Sequence, residues 1–314
     1  MLRTLVAIIA AAGLACAASP ASTPTRTVPA GVAVGGIAIG GLSAEPARAV
    51  VEHAFSRPIR VRYRDKTVSV RPATLGAGLS VDAAVSAALA ATPHSRIALP
   101  VRSSRAKIAT VVATLSKRYN RAAVDATVIG ATASGPSFSP ARNGLAVNVK
   151  TMRTALAQVL REGRRVPLTL LTHSVAPKRT ALSFGAVIVI TRGANSLRFF
   201  HGTKLVRTFP VATGQAIYPT PAGVWRIVDK QRNPWWYPPT ADAWAKGLKP
   251  VPPGPSNPLG TRWMGLNAPG VGIHGTDAPA SIGYSASHGC VRMQVPEAEW
   301  LFEHVHVGTP VVIL

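Results

Sequence analysis

Two histidines and one cysteine near the C-terminal end of the chain combine the residue types and spacing that acyl-transfer chemistry needs. His274 and His288 are each followed by glycine, and Gly289 directly precedes Cys290. A thiolate is the reactive form of cysteine, and a neighbouring imidazole can accept the thiol proton and hold the anion. Glycine permits a sharp bend and lets a substrate carbonyl approach main-chain N–H groups, which are natural donors to an oxyanion. The pattern predicts a thiol nucleophile with a histidine base.

The cysteine content of the chain supports this interpretation of Cys290. The chain contains only two cysteines, and Cys16 lies in an N-terminal segment that we expect to be cleaved or modified. A lone cysteine in an exported protein is a candidate reactive thiol. The alternative is an inert buried thiol, which the histidines near Cys290 disfavour.

Residues 1–18 have the pattern of a secretory signal segment. A short positive stretch that ends at Arg3 precedes the apolar residues 5–14, and small residues follow. The apolar stretch is too short to span a membrane comfortably. We expect export to the cell envelope, either as a secreted protein or as a lipoprotein anchored through Cys16. Residues 19–30 are rich in Pro, Ser and Thr, which predicts a linker.

The positive charge of the chain is concentrated in its N-terminal part. Residues 1–180 contain 24 Lys and Arg against 6 Asp and Glu, a net charge of +18. Residues 181–314 contain 11 against 6, a net charge of +5. Such an excess is typical of proteins that bind polyanions. Export argues against nucleic acid as the partner, which leaves anionic cell-wall polymers or a membrane surface.

Residues 31–178 contain an internal repeat. Each copy has a Ser-x-x-Pro-Ala segment, and the prolines, Pro72 and Pro140, are 68 positions apart. Each copy predicts the order helix, strand, strand, helix, strand, with helices near residues 44–56 and 104–118 and strands at residues 59–63 and 123–129. Met152, Leu156 and Leu160 recur at the spacing of one helical face. We expect the two copies to form one α+β module.

Residues 181–314 predict a mainly β domain, a sandwich or barrel. Strands are expected over residues 186–191, 197–200, 205–211 and 224–228, with turns between them. Residues 233–256 form a long loop rich in proline and aromatic residues, and such loops in compact domains are often lids or binding loops. Trp236 and Tyr237 in this loop either line a groove for a peptide or cap the core.

The residues around His274 and Cys290 resemble the signature of the L,D-transpeptidases, the YkuD family, whose members rework bacterial peptidoglycan. The resemblance runs from about residue 181 to the end of the chain and rests on five segments in order: residues 212–214 (ATG), 219–223 (PTPAG), 257–261 (NPLGT), 272–276 (GIHGT) and 287–293 (SHGCVRM). The repeat module resembles the peptidoglycan-binding domains that precede some members of the family.

The resemblance implies a role for each residue of the catalytic motifs. It makes Cys290 the nucleophile and His274 the base, and it makes the backbone carbonyl of Gly275 the acceptor that orients the imidazole. His288 would orient the site or contact substrate, and Gly289 would shape the turn.

A second set of residues is expected to bind substrate. Two of them belong to the loop of residues 233–256, where the family has a lid over its active site. The candidates are Ser287, which also shapes the turn, Arg292, which either holds a substrate carboxylate or ties the turn to the sheet, and three aromatic residues, Tyr284, Trp236 and Tyr237.

The resemblance also implies the reaction. Cys290 would attack the carbonyl of a diaminoacyl–D-alanine bond in a tetrapeptide stem and release D-alanine. An amine of a second stem would then resolve the thioester and form a 3–3 cross-link. If water resolves it instead, the enzyme is an L,D-carboxypeptidase. The reaction requires no cofactor, and carbapenems, which acylate family members, should acylate Cys290.

Two further interpretations remain to be weighed. An inactive wall-binding protein with the same fold is disfavoured because His274 and Cys290 are both present. A metal site is suggested by His304 and His306, which we expect on one face of a strand. We expect no metal there, because two adjacent ligands are fewer than the three or four that zinc needs.

Overall fold

The computed structural model describes residues 26–163, 165–240 and 242–314. The predicted signal segment with Cys16 and the first part of the predicted linker lie outside these ranges. The chain forms two compact units. Unit 1 comprises the described residues up to Lys117 together with Asn148–Leu171, and unit 2 comprises Arg118–Val147 and Thr172–Leu314. None of the helices in the described ranges has the length and apolar character needed to cross a bilayer.

The first part of the chain alternates short strands with helices, as the repeat predicts. Its elements are β1 (Ala33–Val34), β2 (Ile37–Ala38), α1 (Ala44–Ser56), β3 (Ile59–Tyr63), β4 (Lys66–Val70), β5 (Gly78–Leu79), α2 (Val81–Leu89), β6 (Arg96–Ile97), β7 (Val101–Arg102) and α3 (Arg105–Tyr119). Helix α1 packs against α2 and buries Val51 and Phe55 in one apolar cluster with Val85. Val28 is buried in the same cluster, so the folded part of the chain begins before the predicted end of the linker at residue 30.

The second copy of the repeat does not stay in one unit. Its elements are β8 (Val128–Thr132), β9 (Gly135–Phe138), β10 (Gly144–Val147), α4 (Val149–Arg161) and β11 (Leu168–Thr169), followed by β12 (Thr172–Val175). The strand expected at residues 123–129 begins only at Val128. Helix α4 and β11 belong to unit 1, where β11 pairs with β3, whereas β8, β9, β10 and β12 belong to unit 2. The elements of the second copy are therefore divided between the two units.

The strands of unit 2 form a mainly β fold around an eight-stranded sheet. The elements that follow residue 181 are β13 (Ala186–Thr191), β14 (Ser196–His201), β15 (Lys204–Pro210), β16 (Thr213–Gly214), β17 (Gly223–Arg232), β18 (Arg262–Leu266), β19 (Gly272–His274), β20 (Ser285–Ser287), β21 (Val291–Arg292), helix α5 (Val295–His304) and β22 (Pro310–Ile313). The sheet order is β15-β14-β13-β22-β17-β18-β19-β21. Together with the helix-containing unit 1, this is the predicted fold class, α+β followed by a mainly β catalytic domain.

Strand β13 explains why part of the repeat joins unit 2. Ile188 and Ile190 on one face of the strand belong to the main core of unit 2, which also includes buried residues of α5. Val187 and Val189 on the opposite face form a second cluster with Ala126 and with flanking residues of β8 and β9. A strand that is buried on both faces has a continuous apolar sequence. Residues 186–190 have such a sequence. The segment from residue 118 to 147 therefore covers the second face of this sheet.

The prediction of a strand with His304 and His306 on one face is wrong. His304 is the last residue of α5, and its ring stacks on Trp300 at a centroid distance of 3.7 Å. His304 Nδ1 also lies 2.7 Å from the carbonyl oxygen of Trp300. The apolar residues of 298–302 face the core at helical spacing, which the alternating His-Val-His pattern conceals. Within the described ranges, no three His, Cys, Asp or Glu side chains gather as a metal site would require.

The long loop of residues 233–256 is held by one buried side chain at its end. Asn257 is fully buried, and its Nδ2 shares its two hydrogens among the carbonyl oxygens of Pro234 (2.9 Å), Pro252 (3.0 Å) and Val251 (3.2 Å). Its Oδ1 accepts from the Leu259 N–H at 2.8 Å. Both ends of the loop are therefore bonded to one amide group, which stabilises the loop that carries the predicted groove residues.

We expect Asn257→Ala to lower the free energy of unfolding of unit 2 by about 2–3 kcal/mol, because several buried polar groups lose their partner together. Asn267→Ala is a matched control, since Asn267 accepts a single bond from Arg226 N and should cost about 1 kcal/mol. Denaturant unfolding followed by tryptophan fluorescence measures this, because all six tryptophans lie in unit 2. Equal losses in the two variants would contradict this role of Asn257.

Candidate active site

The pairing of two strands brings the segments with the predicted catalytic residues together. Strand β19 pairs in parallel with β21, with Ile273 opposite Val291 and His274 opposite Arg292. Cys290 lies in the turn that directly precedes β21, next to the pair formed by Ile273 and Val291. The side chains of His274 and Cys290 line one cavity of about 1030 Å³ in unit 2.

The ring of His274 is buried and held in one orientation. Its side chain is only 4% exposed, and Nδ1 lies 2.5 Å from the carbonyl oxygen of Gly275, the acceptor that the resemblance implies. A carbonyl oxygen can only accept, so Nδ1 carries the proton and Nε2 presents a lone pair. Burial lowers the pKa of His274 to about 4, the positive charge of Arg292 lowers it too, and the bond to Gly275 acts in the opposite direction. His274 is therefore a neutral base at neutral pH.

The thiol of Cys290 is also held in its neutral form. Its Sγ lies 3.5 Å from the carbonyl oxygen of Gly270, to which the S–H donates. Burial raises the pKa of the Cys290 thiol above its ordinary value, whereas the backbone N–H of Gly272 and the charge of Arg292 act to lower it. Burial thus favours the neutral form of both side chains, a thiol and an imidazole that line one cavity.

A short turn before Cys290 is closed by Ser287. The Ser287 hydroxyl donates to the carbonyl oxygen of Cys290 at 2.5 Å and accepts from the Gly289 N–H at 3.1 Å. Gly289 has a φ of 107°, a conformation that side chains other than glycine rarely adopt. Ser287 is buried, so its hydroxyl shapes this turn.

Four of the five predicted substrate-binding residues line the cavity: Trp236, Tyr237, Ser287 and Arg292. Tyr284 is 67% exposed and lies outside the residues that line this cavity. Its backbone carbonyl accepts from Thr213 N instead, which ties β16 to the segment before β20. The structure therefore brings the predicted nucleophile, the predicted base and two aromatic residues of the loop to one cavity and leaves Tyr284 at the surface.

Comparison with known proteins agrees with this geometry. Residues 185–313 match the family model of the "L,D-transpeptidase catalytic domain" (YkuD), and residues 68–167 match that of a "Putative peptidoglycan binding domain". "Putative L,D-transpeptidase YqjB" of Bacillus subtilis is 33% identical over 131 residues, which are 40% of this chain and 69% of that protein. The chain belongs to the L,D-transpeptidase (YkuD) family.

Two further relatives match over different shares of their length. "Probable L,D-transpeptidase ErfK/SrfK" of Salmonella typhimurium is 40% identical over 124 residues, which are 36% of this chain and 38% of that protein. A solved L,D-transpeptidase from Mycobacterium smegmatis is 18% identical, with a TM-score of 0.38, and the match covers 64% of this chain and 85% of that one.

Two aromatic residues at the site were not found from the sequence. The exposed ring of His288 stacks on Trp244 at a centroid distance of 4.0 Å and contacts Tyr218 at 5.0 Å. Partial burial and Arg292 lower the pKa of His288, whereas Asp242 raises it. The only sequence signal for Trp244 is its place in the long aromatic loop. His288 thus joins the turn of the nucleophile to that loop.

The depressed pKa of His274 predicts the acid side of the pH profile. We expect the rate of Cys290 acylation by a carbapenem to stay level down to about pH 5, because a base with a pKa of about 4 remains neutral there. Stopped-flow acylation rates across the acid range measure this. A fall with its midpoint near the ordinary histidine pKa of 6.5 would contradict the buried neutral base.

Proposed function

We propose that this family member is a peptidoglycan L,D-transpeptidase that transfers a stem peptide through a thioester on Cys290. The observation that carries the proposal is the placement of Cys290 and a buried, neutral His274 in one cavity. Imidazole Nε2 is unprotonated and available as a base, and the thiol faces the same space. The matched families support a role in the cell wall, and export rests on residues 1–18.

The reaction proceeds in two acyl transfers with His274 moving the proton each time. In the first, Nε2 takes the thiol proton while Sγ bonds to the stem carbonyl carbon, and the C–N bond to D-alanine then breaks as the amine takes that proton. In the second, an amine of another stem attacks the thioester, gives its proton to Nε2, and Sγ leaves and is reprotonated. The product is a 3–3 cross-link.

The turn before Cys290 limits which donors can bind the oxyanion. The Gly289 N–H donates to the Ser287 hydroxyl. The N–H groups of His288 and Cys290 are the other candidate donors in the turn. Preorganised donors of this type stabilise the tetrahedral intermediate more than the ground state.

The charges that line the cavity favour an amine as the acceptor. Its acidic residues are Asp229, Asp242 and Asp277, and its basic residue is Arg292. Carboxylates attract an ammonium group and raise its local concentration, and Arg292 suits a carboxylate of the donor stem. We therefore rank transfer to a second stem above hydrolysis, which would make the protein an L,D-carboxypeptidase, and above an inactive wall-binding role.

We expect Cys290→Ala to abolish both turnover and acylation by a carbapenem, and Cys290→Ser to be nearly as inactive because a hydroxyl has a far higher pKa. His274→Ala should slow acylation about 10²- to 10⁴-fold, and His288→Ala should slow it less.

Intact-protein mass spectrometry with a disaccharide-tetrapeptide, with and without an acceptor stem, tests the reaction. Loss of D-alanine with a cross-linked dimer is expected. A tripeptide alone would show carboxypeptidase activity, and adducts on Cys290→Ala would contradict the nucleophile.

We also propose that unit 1 binds anionic cell-wall polymers through the exposed face of its β3–β4 sheet. Arg60 lies opposite Ser69 and Arg62 lies opposite Thr67, all four with exposed side chains on one face. Neither arginine has an ion-pair partner among the described residues. Guanidinium groups beside hydroxyls suit phosphate groups.

We expect binding of the full chain to purified walls to weaken steeply with salt, because exposed charges are screened once the Debye length falls below about 10 Å. Arg60→Gln with Arg62→Gln should weaken it several-fold. The matched control is Arg153→Gln with Arg161→Gln, which removes the same charge from two exposed positions on α4. A salt-independent pull-down, or equal loss in the control, would contradict this surface.

A further inference from the structure

The cavity wall next to His274 is formed by a tryptophan that no motif identifies. On β18, Trp263 lies directly opposite His274 of β19, and Gly265 lies opposite Gly272. The indole and imidazole rings are stacked, with a centroid distance of 5.8 Å and an angle of 30°. Both rings line the cavity. Trp263 is therefore the neighbour of the base on the side away from Cys290.

The two glycines leave the space that the indole occupies. A Cβ on Gly272 would lie 2.3 to 2.7 Å from three ring carbons of Trp263. A Cβ on Gly265 would lie 2.9 Å from Trp263 Nε1 and 3.4 Å from the Cβ of Asp229. Real atoms do not approach so closely, so any side chain at 272 would displace the ring. The indole thus rests directly on the backbone of the strand that carries His274.

We propose that Trp263 is the positioning residue of the base, and that its indole, seated on Gly265 and Gly272, fixes the His274 ring and excludes water from it. This inference rests on the proposed function, in which His274 moves the proton. The bond to Gly275 O fixes one edge of the imidazole, and the indole restricts its remaining freedom by covering one face.

The surroundings of His274 explain why this contact affects its protonation. On β21 it lies opposite the charged Arg292, and the neighbouring positions of β18 are Trp263 and Gly265, which carry no charge. Cys290 and Asp277 line the same cavity. Asp229 of β17 lies beyond Gly265. No carboxylate among these facing groups pairs with an imidazolium, so the exclusion of water keeps the ring neutral. Removal of the indole would admit water and favour the protonated form.

The test compares variants that remove, shrink or displace the indole. We expect Trp263→Leu to move the acid midpoint of Cys290 acylation upward by about 1–2 pH units and to lower the rate at mildly acid pH about tenfold. Trp263→Phe should keep the midpoint close to that of the unaltered protein, because a smaller aromatic ring still covers the imidazole. Gly272→Ala keeps the tryptophan, displaces it and should shift the midpoint in the same direction.

The control is Trp236→Leu, which removes another aromatic residue of the same cavity and should leave the midpoint unmoved whatever it does to affinity. Nitrogen NMR titration of the His274 ring in the unreacted protein measures the His274 pKa of each variant without any acylation. An unchanged His274 pKa in Trp263→Leu and Gly272→Ala would overturn the inference. Failure of acylation in the unaltered protein, with the pKa shift present, would instead count against the proposed function alone.

Discussion

The site depends on the parallel pairing of β19 with β21. This pairing sets the turn with Cys290 next to β19, and His274 and Cys290 line one cavity although they are sixteen positions apart in the chain. The pairing also continues into the turn, because Met293 N donates to His274 O at 2.8 Å and Arg292 N donates to Ala212 O at 2.9 Å. The hydrogen bonds of this sheet edge therefore fix the positions of the proposed nucleophile and the proposed base relative to each other, as a covalent reaction would require.

Burial at this edge determines the protonation of the pair. Desolvation penalises charge on both side chains, so it lowers the pKa of His274 and raises that of Cys290. A neutral pair avoids the cost of an ion pair in the resting enzyme and forms charge only as the thiol attacks. The depression of the His274 pKa also links folding to pH. The unfolded chain binds more protons than the folded one between about pH 4 and 6.5, so stability falls as pH drops through that interval.

The chemistry was easier to predict from the sequence than the packing around it. His274, Cys290 and Gly289 lie in short contiguous motifs whose chemistry depends on residue type and local geometry. The contributions of Trp244 and Trp263 depend on which strand lies beside which, and no local period in the sequence shows this. The same limit applies to the segment at residues 118–147, which repeats the pattern of unit 1 yet covers the second face of β13 in unit 2. Periodicity identifies an apolar face but not the surface that covers it.

A neutral imidazole with its proton on Nδ1 and a neutral thiol share the resting site. Nitrogen NMR of the His274 ring at neutral pH, in the unreacted protein, tests this directly. We expect a protonated Nδ1 and an unprotonated Nε2, with no change of state until the pH approaches about 4. A ring protonated on both nitrogens at neutral pH, together with the ultraviolet absorbance of a thiolate that is lost in Cys290→Ala, would contradict it.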